Sequence, residues 1–211
     1  MVTPHEKDAG NEIALISDAG TPLISDPGYC LVASVQKAGI TIIPIPGACA
    51  AIAALCSSGL PTDKFVFVGF LPAKAISRNK QLLFLKTETR TTVYYEATHR
   101  ILATILAMLE NFGADRHAVI ARELTKKFET IYSGNLSNIK TWIESSNNQQ
   151  KGEFVILVHG NTDFNNQEIS AETANLLTIL STELPPKKVA SLASKITGIR
   201  KNVLYKFLMQ L

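Results

Sequence analysis

The sequence contains little that marks a secreted or membrane-spanning protein. Its three cysteines, Cys30, Cys49 and Cys56, form an odd set without a Cys-x-x-Cys spacing, which favours buried thiols in a reducing compartment over a disulfide framework. Consecutive apolar residues never reach the roughly 18 needed to cross a bilayer. The first residues are polar rather than those of a secretory signal. We therefore predict a cytoplasmic protein that has no membrane partner.

Two common nucleotide-binding signatures are missing as well. Neither Gly-x-Gly-x-x-Gly nor Gly-x-x-x-x-Gly-Lys-Ser/Thr occurs, which argues against the usual dinucleotide and phosphate-loop folds. The loop SDAGTPLISDPG (residues 17–28) contains Asp18 and Asp26, but no histidine or cysteine accompanies them. Because two carboxylates alone make a poor ligand set, no metal is predicted. The net charge of +3 permits a nucleic-acid partner without requiring one.

The sequence does contain a regular alternation of short apolar runs and helical stretches. Residues 13–17 and 40–46 have the pattern of buried strands, and they precede stretches with helical spacing at residues 29–39 and 48–59. This strand–helix order is typical of a parallel, doubly wound α/β sheet. We assign it to a first domain, residues 1–62.

A second α/β domain is predicted for residues 63–160, with enough strands for a sheet of its own. Polar, turn-rich residues 161–169 then indicate a linker. Residues 170–211 form a small, basic helical domain whose last two helices meet at Gly198. The predicted strands of the second domain are residues 65–71, 91–96, 117–123 and 152–160, and its predicted helices are residues 77–88, 99–113 and 135–146.

Two loops follow the predicted strands of the first domain, and in a parallel sheet ligands bind outside the carboxyl ends of the strands. The loop at residues 17–28 carries Gly20 and Gly28, which permit close backbone approach, and two prolines that stiffen it. At residues 44–50 a Pro-Gly turn opens a helix whose free amides favour an anion. These residues alone leave open ligand binding, an acid/base role for the aspartates, and a rigid connector.

Charged residues of both signs gather after two strands of the second domain, at one predicted edge of its sheet. A glutamate or histidine there is a candidate general base, and the cations are candidates for holding phosphates. A solvated cluster of mutually paired charges is the alternative interpretation. The residues concerned are Glu96, His99 and Arg100 after the first strand, and Arg122, Glu123, Lys126, Lys127 and Glu129 after the second.

The C-terminal helices carry positive charge and no acidic residue after Pro185. A basic helical pair can dock on a nucleic-acid backbone, or it can keep a small helical cap soluble, and the sequence leaves both open. The cations considered for RNA contact are Lys187, Lys188, Arg200 and Lys201.

Five motifs occur in a familiar order: ALISDAGTPLISDPGY, PIPGACAAIAALCSSGLPTDKFVFVGFLP, YYEATHR, ARELTKKFETIYSG and KGEFVILV. With them the chain resembles the ribosomal RNA small-subunit methyltransferase I family of the tetrapyrrole methylase superfamily. The resemblance implies two α/β domains of the tetrapyrrole methylase type plus a small helical C-terminal appendage. It also implies S-adenosylmethionine as methyl donor, a homodimer, and a cytidine 2′-hydroxyl in the decoding region of 16S rRNA, in the small ribosomal subunit, as acceptor.

Family members begin with a further strand and a loop like TPIGN, ahead of a segment that ends near Ile13. A short leader of unrelated appearance stands there in this sequence, so we expect the first domain to lack one strand of its sheet and part of its cleft. Cys49 replaces the usual serine, and Thr98 replaces the usual proline. Two other functions therefore stay open: a non-catalytic remnant that dimerises or binds RNA, and a small-molecule tetrapyrrole methylase.

Individual roles follow from position and from the resemblance. Because they share a strand-end location, we infer that Glu96 or Glu123 takes the proton of the ribose hydroxyl. By the same reasoning, Arg100, Arg122 and Lys126 hold RNA phosphates. The resemblance implies that residues near 152–154 supply a further wall of the donor site. The contacts to the donor implied by the resemblance are Gly20, Thr21, Pro22 and Ile24 in the first loop, Gly47, Cys49 and Ala50 in the second, and Tyr95 and Ala97 at the end of a strand.

Overall fold

The computed structural model describes residues 12–162 and 169–209. The chain divides into two compact units, Met1–His159 and Gly160–Leu211. The boundary predicted between residues 62 and 63 falls within the first unit and stays a prediction. Most of the predicted linker, residues 163–168, lies outside the described residues, and so does nearly all of the polar N-terminal stretch.

A five-stranded sheet forms the centre of the first unit. Its strands are β1 (Phe65–Phe70), β2 (Thr91–Glu96), β3 (His117–Arg122), β4 (Thr130–Asn135) and β5 (Phe154–Val158). They lie in the order β1-β2-β5-β3-β4. β1 and β2 are parallel, whereas β5 is antiparallel to both β2 and β3, and β4 is antiparallel to β3. The predicted α/β class is confirmed, with a mixed rather than an all-parallel sheet.

Strand β4 is the strand that the sequence pattern did not predict. It lies at an edge of the sheet, and most of its side chains are half-buried. Its residues TIYSGN include a glycine and an asparagine, which favour turns over strands. Pairing with β3 along its whole length overrides that local preference. The four strands predicted for the second domain are confirmed, with ends that shift by at most two residues.

The helices of the first unit are those that the spacing predicts. They are α1 (Tyr29–Lys37), α2 (Ala50–Ser57), α3 (Ala75–Leu85), α4 (Ile101–Phe112) and α5 (Leu136–Glu144). The side chain of Asn135 accepts a hydrogen bond from the Asn138 amide and so caps the start of α5. Gly113, with a φ of 91°, ends α4. A short 3₁₀ turn, Thr98–Arg100, joins β2 to α4.

The two faces of the sheet bury different helices. Tyr94 and Ile156 face a core formed with α3, α4 and α5, whereas their neighbours Val93 and Leu157 face α2. This alternation is the period of two expected of a strand. On α2 the small side chain of Ala54 is fully buried, and the helix lies against β2 and β5. The alanine-rich sequence of α2 therefore positions its N-terminal end close to the sheet.

Two strand predictions are wrong. Residues 13–17 and 40–46 belong to no strand, and Ile16 and Ile43 in them are 84% and 76% exposed. A β-branched run forms a strand only where a neighbouring strand completes its backbone hydrogen bonds, and neither run has such a ladder within the described ranges. The prediction of buried thiols is also wrong for Cys30 and Cys56, which are exposed. Helix α1, which carries Cys30, has no buried residue, and α2, which carries Cys56, packs through Ala51, Ala54 and Leu55 instead.

The second unit is a three-helix domain. Its helices are α6 (Ala171–Ser181), α7 (Pro186–Thr197) and α8 (Lys201–Leu208). Each contributes a fully buried side chain to a small core, namely Leu177, Val189 and Leu204. Gly198 ends α7 in the left-handed conformation, with a φ of 73°. The predicted helical appendage is confirmed. In both units, as far as the chain is described, no helix has the length and apolarity to cross a membrane.

The buried centre of the sheet generates a stability prediction. Ile156 on β5 has no exposed surface, so Ile156→Ala leaves a cavity and lowers the free energy of unfolding by about 2–5 kcal/mol. The control Ile131→Ala changes a residue on β4 that is 40% exposed. It lowers the free energy of unfolding by less than about 1 kcal/mol. Urea denaturation measures both losses, and equal losses would contradict a core centred on β5.

Candidate active site

The ends of three strands form one edge of the sheet. β2 and β3 both run antiparallel to β5, so their carboxyl ends meet the start of β5. The register places Glu96 of β2 and Arg122 of β3 on either side of Phe154. The two charged segments singled out in the sequence therefore lie on neighbouring positions of one edge. We call this place the strand-end edge.

The two glycine-containing loops are in direct contact. The Thr21 hydroxyl donates a hydrogen bond of 2.9 Å to the carbonyl oxygen of Ala48. Gly20, with a φ of 72°, lies so close that a Cβ atom there would be 3.8 Å from the same oxygen. The segments at residues 17–28 and 44–50, far apart in sequence, thus form one surface.

Tyr95 connects this surface to the sheet. Its hydroxyl accepts a hydrogen bond of 3.1 Å from the Ala51 amide, in the first turn of α2, which is one of the amides that a helix cannot pair internally. The Cys49 sulfur lies 3.9 Å from the same hydroxyl. Burial raises the pKa of the Tyr95 phenol, so the group stays neutral at physiological pH. Tyr95 thus joins the second loop to the end of β2, and the Thr21–Ala48 bond connects the first loop to the second. We call this arrangement the Tyr95 junction.

The remaining predicted donor contacts lie on the same segments. The Ile24 amide donates to the Thr21 carbonyl at 3.3 Å and shapes the first loop as a turn. A Cβ on Gly47 would meet no heavy atom within 4 Å, so the second loop leaves open space there. Their donor contacts stay predictions. The residues are Pro22 and Ile24 in the first loop, Gly47 and Ala50 in the second, and Ala97 directly after β2.

Glu96 is buried and already has partners. Its carboxylate accepts hydrogen bonds from the Thr104 hydroxyl at 2.5 Å and the Ala97 amide at 2.9 Å, and it lies 3.3 Å from the Arg100 guanidinium. That guanidinium also donates to the Leu71 carbonyl at 2.6 Å. Glu96 and Arg100 therefore tie the ends of β1 and β2 together. The sequence pattern did not predict this contact, because the Leu71 carbonyl comes close to Arg100 only in the folded chain.

Arg122 makes a similar internal contact. Its guanidinium donates a hydrogen bond of 2.7 Å to the Lys151 carbonyl, and the residue is only 8% exposed. This bond holds the end of β3 against the segment that leads into β5. Whether Arg100 and Arg122 also touch RNA stays a prediction, since each already donates to a backbone carbonyl of its own chain.

Glu123 differs from Glu96 in being partly exposed. One carboxylate oxygen accepts hydrogen bonds from the Glu153 amide at 2.9 Å and from the Lys126 ammonium at 3.0 Å. These two hydrogen bonds hold the pKa of this carboxyl below its ordinary value, and the bond from the Glu153 amide has the larger effect. Glu123 is therefore ionised at neutral pH. The stability that it contributes is present at neutral pH and is lost as the pH falls through the lowered pKa.

Gly152 lies beneath Glu123, at a position that only glycine fits. A Cβ there would be 2.5 Å from Cγ of Glu123, and its φ is 103°. The Gly152 amide donates to the Thr98 hydroxyl at 3.1 Å, and that hydroxyl donates to the Gly152 carbonyl at 2.6 Å. Gly152 therefore locks the ends of β2 and β3 to the start of β5. The one sequence signal for this lock is a glycine directly before a strand.

The cations predicted to contact RNA from the C-terminal helices lie in the second unit. Lys187 and Lys188 are exposed in the first turn of α7, and Arg200 and Lys201 are exposed where α8 begins. Further along α7 an exposed lysine, Lys195, belongs to the same face as Lys188, and together they line a shallow groove. Their RNA contacts stay predictions.

The Gly152 lock generates a prediction about titration. Gly152→Ala displaces the Glu123 side chain, costs about 1–3 kcal/mol of stability, and returns the pKa of Glu123 towards its ordinary value because the Glu153 amide contact is lost. Carboxyl NMR titration measures the pKa. The control Gly113→Ala has a similar positive φ of 91° but open space around it, and it leaves Glu123 unchanged. An unshifted Glu123 in Gly152→Ala would rule out the lock.

Comparisons with known proteins agree with the motif resemblance. Residues 2–140 match the family described as Tetrapyrrole (Corrin/Porphyrin) Methylases, and residues 167–211 match the RsmI C-terminal HTH domain. Two similar proteins, from Pseudomonas aeruginosa and Vibrio cholerae, are called ribosomal RNA small subunit methyltransferase I. They are 52% and 50% identical over 95% and 94% of this chain, which covers 72% and 69% of their own lengths.

A solved structure supports the fold. The crystal structure of the methyltransferase CobJ matches 68% of this chain and 62% of its own length with a TM-score of 0.50, at 19% identity. A likeness at that identity concerns the fold alone. The family matches, the two relatives and this fold lead to one conclusion: the chain belongs to the tetrapyrrole methylase family, within the group of ribosomal RNA small subunit methyltransferases I.

Proposed function

We propose that the chain transfers a methyl group from S-adenosylmethionine to the 2′-hydroxyl of a cytidine in the decoding region of 16S rRNA. The acceptor is the small ribosomal subunit, and the reaction takes place in the cytoplasm. The observation that carries the proposal is the Tyr95 junction, where the two loops implied in donor contact are bonded to each other and the second is bonded to the end of β2, beside the charged strand-end edge. The names of the similar proteins support ribosomal RNA as the substrate class.

The Tyr95 junction has the chemistry to hold S-adenosylmethionine. The open space at Gly47 and the tight turn at Gly20 allow a ligand to approach the backbone of both loops. The amides in the first turn of α2 other than that of Ala51, which donates to Tyr95, suit the carboxylate of its methionine part. When bound, S-adenosylmethionine supplies a methyl group that its sulfonium makes electrophilic. Thr21 and Tyr95 fix the two loops, so they hold the donor site in a defined shape.

Of the two candidate carboxylates, Glu123 is the one that a substrate can reach. Its side chain is 17% exposed, whereas that of Glu96 is fully enclosed. A carboxylate with a lowered pKa is a weak base but a good hydrogen-bond acceptor. We assign to Glu123 the orientation of the ribose hydroxyl and acceptance of its proton as the oxygen attacks. Glu96 then acts as a positioning residue through Arg100.

The exposed cations suit an RNA backbone. Lys126 is 46% exposed beside Glu123, and the second unit carries the exposed cations of α7 and α8. Lysine and arginine neutralise phosphates and thereby position a nucleic acid without reading its sequence. The RNA-contact set proposed here is Lys126 in the first unit and Lys187, Lys188, Arg200 and Lys201 in the second. Arg100 and Arg122 hold the strand ends of the first unit.

The proposal also includes a homodimer, in which a second copy of the chain is the partner. Helix α3 carries an apolar stripe, Ile76, Leu83 and Phe84, that is 87%, 61% and 84% exposed. The spacing of these residues places them on one side of the helix. Exposed apolar stripes of this kind are typical of protein interfaces.

Methyl transfer to small ribosomal subunits tests the function. With S-adenosylmethionine, the chain produces 2′-O-methylcytidine in 16S rRNA, detected by mass spectrometry of nuclease digests. Glu123→Gln lowers kcat by about 100-fold, at the low end for proton transfer because its pKa is depressed, and leaves donor affinity unchanged. The matched control Glu110→Gln, at an exposed position on α4, keeps full activity. Methyl groups found on bases alone would refute the ribose assignment, and full activity of Glu123→Gln would refute its role.

A further inference from the structure

Phe70, at the end of β1, projects from the sheet in an unusual direction. Phe67 pairs with Val93, but the next pair is Gly69 with Tyr94, so one residue of β1 has no counterpart on β2. Such a bulge reverses the alternation of side chains along a strand. Phe70 consequently emerges beside Tyr95, on the same face as Phe67, instead of on the face that α3 and α4 cover.

Contacts on both sides of Phe70 along the chain hold the bulge in place. Gly69 has a φ of 71°, and a Cβ there would lie 3.2 Å from the Ser25 hydroxyl oxygen, so the first loop packs directly against the bulge. On the other side Leu71 is buried, and its carbonyl accepts the 2.6 Å hydrogen bond from Arg100. The backbone that carries Phe70 is therefore fixed before and after it.

The ring of Phe70 is not packed in a hydrophobic core. It is 52% exposed, although it contacts the Tyr95 ring edge-to-face with a centroid distance of 5.7 Å. Phe67 contacts the same tyrosine ring at 5.1 Å but is half-buried. The tyrosine thus holds an exposed aromatic face in a defined orientation, on β1, which is an edge strand of the sheet in the part of the chain that the structure describes.

We propose that Phe70 is a stacking platform for the base of the nucleotide whose ribose is methylated; this rests on the proposed RNA methylation. Proteins bind single-stranded RNA by stacking splayed-out bases on aromatic side chains. Stacking immobilises the nucleotide, so it also orients the ribose hydroxyl. The ring of Phe70 touches the ring of Tyr95, whereas the second loop meets the hydroxyl end of that residue and the first loop reaches the bulge at the backbone of Gly69. We therefore assign Phe70 to the substrate side.

Three variants and one control test the platform. Phe70→Leu keeps an apolar side chain but removes the aromatic face, Phe70→Ala removes the ring, and Phe70→Trp restores an aromatic face. The control Phe65→Ala removes a ring that is 37% exposed at the opposite end of β1. Binding of a fluorescein-labelled RNA hairpin with an unpaired cytidine is measured by anisotropy, and S-adenosylmethionine affinity by calorimetry. Methyl transfer to small ribosomal subunits gives kcat and KM.

We expect Phe70→Leu and Phe70→Ala to weaken hairpin binding by about tenfold or more, the effect of losing one stacked base, with kcat/KM falling in parallel. S-adenosylmethionine affinity stays unchanged, Phe70→Trp binds the hairpin like the original chain, and the control Phe65→Ala does so too. Weaker donor binding with unchanged hairpin binding would assign the ring to the donor and overturn the proposal. Unchanged binding of both ligands would also overturn it. Absent methyl transfer by the unaltered chain would refute the proposed function instead, since hairpin binding is measured separately.

Discussion

The hydrogen bond from the Ala51 amide to the Tyr95 hydroxyl is the contact on which the proposed donor site depends. It joins the first turn of α2 to the end of β2, and the Thr21–Ala48 bond extends the connection to the first loop. A buried amide without a hydrogen-bond partner costs free energy. The Tyr95 hydroxyl therefore satisfies the Ala51 amide and also fixes the position of α2. Two segments that belong to no strand, residues 13–17 and 40–46, lead into these loops, and the loops still meet at one place.

The mixed order of the sheet explains how the strand-end edge forms. Because β5 runs against both of its neighbours, Glu96 and Arg122 lie on either side of its first residue. Gly152 precedes β5 and is bound by Thr98 from the β2 side and covered by Glu123 from the β3 side. One glycine thereby couples two strand ends. The ionised Glu123 is partly exposed, while Glu96 is enclosed and holds Arg100.

Local pattern was sufficient to predict every helix and four of the five strands of the first unit's sheet, and the five motifs were sufficient to identify the family. It failed where tertiary partners decide. The edge strand β4 contains turn-forming residues and forms through pairing with β3, whereas residues 40–46 have strand-forming residues and no pairing among the described residues. Arg100 and Arg122 resemble surface cations in the sequence, but each reaches a backbone carbonyl about 30 residues away. The bulge that redirects Phe70 is likewise a property of register, which sequence spacing does not contain.

The central claim is that the Tyr95 junction forms the S-adenosylmethionine site, and calorimetry of Tyr95→Phe tests it most directly. This change keeps the ring and its contacts with Phe67 and Phe70 and removes only the hydroxyl that accepts from Ala51. The account predicts that the affinity for S-adenosylmethionine falls about 3–10-fold, the effect of one net hydrogen bond. The control Tyr132→Phe, whose ring stacks on Trp142 on the far face of the sheet, binds the donor like the original chain. An unchanged affinity in Tyr95→Phe would contradict the account.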